Sequence, residues 1–182
     1  SMIACFLACG SMFLLALAHL SNAPGVNRIA NCWLGVFFLC TASALLAFIA
    51  EQTGLDLRYP FLVPLTESIR LAMAPSLYLC VLNFTAIRRS GVRTDILHFL
   101  PALLFLPLLF SDGAHLPRFL GIMVGLSVKV QLLIYWVLSF RLLYKHGRVA
   151  RDISAAPQRI DLGWLKWMLL GVGAMMLLWY NQ

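Results

Sequence analysis

Charge is scarce in this sequence, and acid is scarcer than base. Only 12% of the 182 residues are Asp, Glu, Lys or Arg, with 14 basic against 7 acidic side chains. So few charges exclude a solvated, disordered chain. They also leave a soluble globule of this size without enough polar surface to cover itself. Metal-type cysteine spacing is missing too. Cys5, Cys9, Cys32, Cys40 and Cys80 all lie in apolar stretches, with no CxxC and no Cys/His pattern of a zinc or redox site. Cys5 and Cys9 share a helix face, but no third ligand stands near them, so neither metal nor cofactor is expected. HExxH, a Walker loop, paired carboxylates and a Ser/His/Asp grouping are all absent, so the sequence offers no catalytic constellation and no enzyme is expected. The first apolar run lacks a basic n-region and a clean cleavage site. It reads as a retained helix and not as a signal peptide.

What the chain has in plenty is apolar sequence: 62% hydrophobic residues and a mean hydropathy of +0.87. The apolar residues fall into six runs, at about 2–20, 29–50, 61–87, 96–110, 119–144 and 162–180. Runs of this length suit helices crossing a hydrocarbon layer about 30 Å thick. The expected fold is an all-α, polytopic transmembrane bundle forming one domain over 1–182, with the lipid bilayer as its solvent. The third run contains Pro64 and Pro75, and proline inside a membrane helix frees a carbonyl and bends the helix. The fourth run is short and carries Pro101 and Pro107.

The net charge of +7 sits in alternate loops. Arg28 follows the first run. Arg88, Arg89 and Arg93 follow the third, and Lys145, Arg148, Arg151 and Arg159 follow the fifth. The intervening loops hold only Arg58 and Arg118, each accompanied by acid. The positive-inside rule then places loops 88–95 and 145–161 in the cytoplasm and the N-terminus outside. This requires the fourth run to cross. After six spans the chain stands outside again, so a seventh span is expected beyond Gln182. Trp164 and Trp167 at one end of the sixth run, and Trp179 and Tyr180 at the other, match the aromatic belts of a bilayer.

A few charges remain inside the runs. Glu67 and Arg70 lie three apart on one helix face of the third run, and Lys129 lies in the middle of the fifth with Gln131 nearby. Under the assigned topology Arg70 and Lys129 are each about 15 Å deep, and Glu67 about 9 Å. An ionisable group at such depth costs about 3 kcal/mol even on the mildest insertion scale, so these groups pair or line a wet cavity. Two readings stay open: an ion-pair network that fixes helix register, or a polar pocket (Glu67, Arg70, Lys129, Gln131) for a small anionic ligand or a lipid head. Gly121 and Gly125 form a GxxxG, and Gly171, Gly173 and Ala174 offer similar small surfaces for close helix packing. The histidines read as surface groups.

The centre of the chain resembles a known family. Arg58-Tyr59-Pro60, Ala74-Pro75-Ser76-Leu77-Tyr78-Leu79-Cys80-Val81 and Asp95-Ile96-Leu97-His98-Phe99-Leu100-Pro101-Ala102-Leu103-Leu104 look like the N-terminal membrane half of certain bacterial transcriptional regulators that end in an AraC-type helix-turn-helix domain. Asn27-Arg28 with Ala30-Asn31 looks like their "NRxAN" loop. The resemblance is best between residues 24 and 110. Two features depart from it: Ala74 stands where the family usually has Gly before the proline, and Glu67 and Arg70 are not part of its pattern. The resemblance implies a seven-span sensor domain in the bacterial inner membrane. It also implies DNA contact only through a C-terminal domain beyond this chain, and a homodimer from half-site logic. Pro75 is then a natural hinge. A transporter or channel module, half of a longer transporter, is the alternative, because proline-broken helices and midplane charges suit that class as well.

Overall fold

The computed structural model describes residues 2–21, 27–85, 92–104, 118–152 and 162–180. All regular structure among them is helical: α1 Met2–Ser21, α2 Arg28–Thr53, α3 Leu55–Arg58, α4 Leu62–Leu71, α5 Met73–Thr85, α6 Val92–Leu97, α7 Arg118–Asp152 and α8 Gly163–Tyr180, with a further helical turn at 100–104. Among the described residues, three helical segments are long and apolar enough to cross a membrane: Met2–Ser21, Arg28–Thr53 and Leu126–Gly147. The third run is split between α4 and α5. The second half of the fourth run and the segment 153–160 lie outside the described residues.

Helix boundaries do not follow the hydropathy boundaries. The expected loop 51–60 is largely helical. α2 runs on to Thr53 and stops at Gly54, whose φ of +70° is the left-handed conformation that glycine adopts without strain. Its N–H closes back onto the Ala50 and Glu51 carbonyls, and the one-turn α3 follows. At the other end, α7 continues to Asp152, well into the basic segment 145–161 expected as a loop. Lipid contact ends near Tyr144 on composition, but nothing there caps the helix, and Lys and Arg are good helix formers.

α2 is the hub, packing against α1, α4 and α5, while α5 packs on α7 and α7 on α8. The main core joins Leu34 and Phe37 of α2, Leu77, Cys80 and Val81 of α5, and Leu162, Leu165 and Leu169 at the start of α8. A second cluster, Leu71, Ala102 and Val128, ties the end of α4 to the fourth run and to α7. In lipid these side chains gain little transfer free energy on burial. Close packing and interhelical hydrogen bonds hold the bundle instead.

The small residues show how the packing is made. α1 buries only Ala16, which lies against Gly35 of α2. A Cβ on Gly35 would stand 2.8 Å from Leu20 Cγ and 3.1 Å from the Ala16 carbonyl oxygen. Two turns further along each antiparallel helix, Cys9 Sγ donates to the Ala42 carbonyl at 3.4 Å. Between α7 and α8, the Trp136 ring covers Gly173 at 2.8 Å from an added Cβ, and its Nε1 donates to the Leu169 carbonyl at 2.8 Å. Gly171 faces open space and Ala174 is exposed, so of these three small residues only Gly173 receives a neighbour at close range. At one end of the bundle, Asn27 sits in the left-handed conformation and its Nδ2 donates to the Asn83 carbonyl at 2.5 Å. That carbonyl lies in the last turn of α5, where the helix supplies no partner of its own.

Candidate functional site

The site is built around the split in the third run. α4 ends at Leu71, and Ala72 closes a tight turn with its N–H on the Ile69 carbonyl at 3.0 Å. α5 starts at Met73, which puts Pro75 in its first turn. Proline has no N–H, and the backbone ladder is interrupted at this position. The Leu71 carbonyl, four residues before Pro75, therefore receives no N–H from position 75. Gln131 of α7 supplies a donor in its place, with Nε2 3.3 Å from that oxygen. Leu71 is only 2% exposed, so an unmet carbonyl here would be costly. Ser76, fully buried, returns its hydroxyl to the Ala72 carbonyl and adds a further local tie at the break.

Beside this break lies a cavity of about 380 Å³. One wall is a stripe of α2: Phe37, Thr41, Ala44, Ala47, Phe48 and Glu51. These residues recur every three or four positions and so share one helix face. The alanines leave the space. Arg70, Leu71, Met73 and Ala74 from both sides of the break form the second wall, and Val128, Gln131 and Leu132 of α7 form the third. The lining is mostly apolar, with four polar groups: Thr41, Glu51, Arg70 and Gln131. Thr41 has its hydroxyl on the Phe37 carbonyl at 2.9 Å. The Glu51 side chain is exposed and stands at the mouth, whereas Arg70 is half-buried.

Arg70 and Gln131 thus meet at one cavity, as a pocket reading needs. Lys129, half-buried on α7, is not part of its lining. Two residues of separation turn it away from Gln131 on a helix. Glu67 lies in α4, but its side chain is outside the described residues. Gly121 and Gly125 lie in α7, and their surroundings are likewise outside them. Glu51 falls between the second and third apolar runs, and the extension of α2 to Thr53 places it in the cavity lining.

A second cluster has no sequence signal at all. His98 Nδ1 and the Tyr135 hydroxyl are 3.0 Å apart, and Tyr78 closes the group with ring centroids 5.3 Å from His98 and 5.5 Å from Tyr135. Beside it, Trp33 and Phe99 stack at 5.5 Å. His98 is therefore half-buried and bonded, not the surface group its place beside a basic loop implied. The chain segments that supply these rings are far apart in sequence, so only the tertiary fold brings them together. Asn83 and Thr85 bond to backbone within α5, to Leu79 and Val81 respectively, each at 2.8 Å.

Comparison of the chain with protein-family models, with curated proteins and with solved structures gives no match.

Proposed function

We propose that this chain is a membrane-embedded sensor module of a bacterial AraC-type transcriptional regulator. In this reading, occupancy of the cavity sets the geometry of the α4–α5 break, and α7 carries the change toward a cytoplasmic DNA-binding domain outside these residues. The observation that carries the proposal is a single hydrogen bond. Gln131 Nε2 on the Leu71 carbonyl joins the proline-made break, the cavity wall and the longest helix at one point. An amphiphile entering the cavity meets the Gln131 amide and the walls on both sides of the break. It therefore has different contacts in the two arrangements of that break, which is the condition for shifting their populations. A ligand that moves the equilibrium from 1:99 to 99:1 must prefer one arrangement by about 10⁴-fold.

The rest of the assignment follows the same reading: inner-membrane location, N-terminus outside, loops 88–95 and 145–161 cytoplasmic, and DNA engaged by a dimer through the separate domain. The interrupted third run also favours a transport reading, since broken helices build substrate sites in transporters. The two readings separate experimentally. Spin labels on unnatural side chains at the exposed positions Leu65 of α4 and Leu138 of α7 report the break by pulsed electron resonance in nanodiscs. A sensor gives two distance populations whose ratio changes when 12-carbon lysophospholipids are added, and no release of dye from proteoliposomes. A single distance, unmoved at saturating lysophospholipid, rules the sensor reading out, and lipid-stimulated flux replaces it with transport.

A further inference from the structure

The shape and charge of the cavity specify a chemical class of ligand. Along α2 the lining runs from Phe37 to Glu51, fourteen residues or about 21 Å at the helical rise. A space of about 380 Å³ drawn out over that length is narrow, a shape that suits one extended chain. At about 30 Å³ for each small group, as for a liquid water molecule, the space holds about a dozen such groups, head and chain together, so a 12-carbon amphiphile leaves part of its chain outside the open side of the pocket.

The polar groups specify the head. Among the described lining residues there is one cation, Arg70, and one anion, Glu51. A purely anionic head meets the Glu51 carboxylate, and a purely cationic one meets Arg70. A head with both charges satisfies both. The guanidinium has five N–H donors in a fork suited to phosphate, so contacts to protein acceptors leave donors for a second set of oxygens. Gln131, with one amide N–H on Leu71, presents its Oε1 acceptor and a second N–H as further contacts.

We propose, on the reading that this cavity binds the signal, that its ligand is a single-chain zwitterionic phospholipid. The acyl chain lies along the Phe37–Ala44–Phe48 face of α2, the phosphate against Arg70 and the ammonium against Glu51. Lysophosphatidylethanolamine with a 12-carbon chain is the probe.

The test is a titration by native mass spectrometry of the whole chain with three probes of equal chain length: lysophosphatidylethanolamine, lysophosphatidylglycerol and dodecyltrimethylammonium. The first should bind about two- to fivefold tighter than the second, the range of a single ion pair at a wet site. Glu51→Gln, at an exposed position, should erase that difference without lowering binding of lysophosphatidylglycerol. Ala44→Phe, which fills the groove, should weaken all three. If lysophosphatidylglycerol or the cation binds as well as or better than the zwitterion in the unaltered chain, and Ala44→Phe still weakens it, the head assignment is overturned and the cavity reading stands. If none of the three responds to Ala44→Phe, the cavity reading fails together with the head assignment.

Discussion

Replacing Gln131 by Leu removes the donor that the Leu71 carbonyl receives in place of the one Pro75 lacks. Two magnitudes compete. Leaving a buried carbonyl unsatisfied costs about 1–3 kcal/mol in a protein interior. Interhelical hydrogen bonds in a membrane average only about 0.6 kcal/mol, with a maximum of about 1.7, because the unfolded chain in lipid finds partners too. The bond is long at 3.3 Å, but its acceptor residue is 2% exposed. Length argues for the lower figure and burial for the higher, and the expected cost is about 1 kcal/mol. The decisive measurement is a double-mutant cycle. Pro75→Ala restores an N–H within reach of the Leu71 carbonyl, so the glutamine becomes redundant there. Gln131→Leu in the Pro75→Ala background should then cost close to nothing, giving a coupling of about 1 kcal/mol. Reversible unfolding by steric trapping in bicelles reads all four stabilities. Equal costs of Gln131→Leu in the two backgrounds would refute the carbonyl argument, whatever their size.

Gly35→Val should separate α1 from α2, because Leu20 can swing aside from the new side chain but the Ala16 carbonyl cannot. A loss of about 1–3 kcal/mol is expected from such overpacking, read as lowered thermal stability in detergent, while Gly171→Val, in open space, should change little. Tyr135→Phe should cost about 0.5–1.5 kcal/mol and shift the Nδ1 resonance of His98 in ¹⁵N NMR; an unchanged resonance means the two side chains do not bond. Reporter fusions within 145–161 should read cytoplasmic and fusions after Gln182 periplasmic, and the reverse pattern would overturn the orientation.

How much of this was legible in the sequence differs from element to element, for physical reasons. That a proline at 75 frees a carbonyl follows from its missing N–H, so a disturbance of the third run was readable. The residue that answers the freed carbonyl was not, because Gln131 is 60 positions away and looked like a companion of Lys129. Hydropathy located the apolar runs but misplaced helix ends at Glu51 and Tyr144. It reports where lipid stops, whereas a helix stops where a cap such as Gly54 closes its last carbonyls. The error at Glu51 hid one of the cavity's two charges. The cavity itself was invisible, because Ala44 and Ala47 create space only once facing helices decline to fill it. His98 failed for a similar reason: position beside a basic loop describes neighbours in the chain, not those in the fold.

The unbroken course of Arg118–Asp152 has a mechanical consequence. The rod places Gln131 against the break and extends twenty-one residues past it, about 32 Å, with no flexible joint to absorb motion. A tilt of about 10° pivoting at Gln131 swings Asp152 through about 5–6 Å. On the proposed sensor reading, a small change of helix tilt at the break is thus magnified by leverage along α7, and Lys145, Arg148 and Arg151 ride on the moving arm.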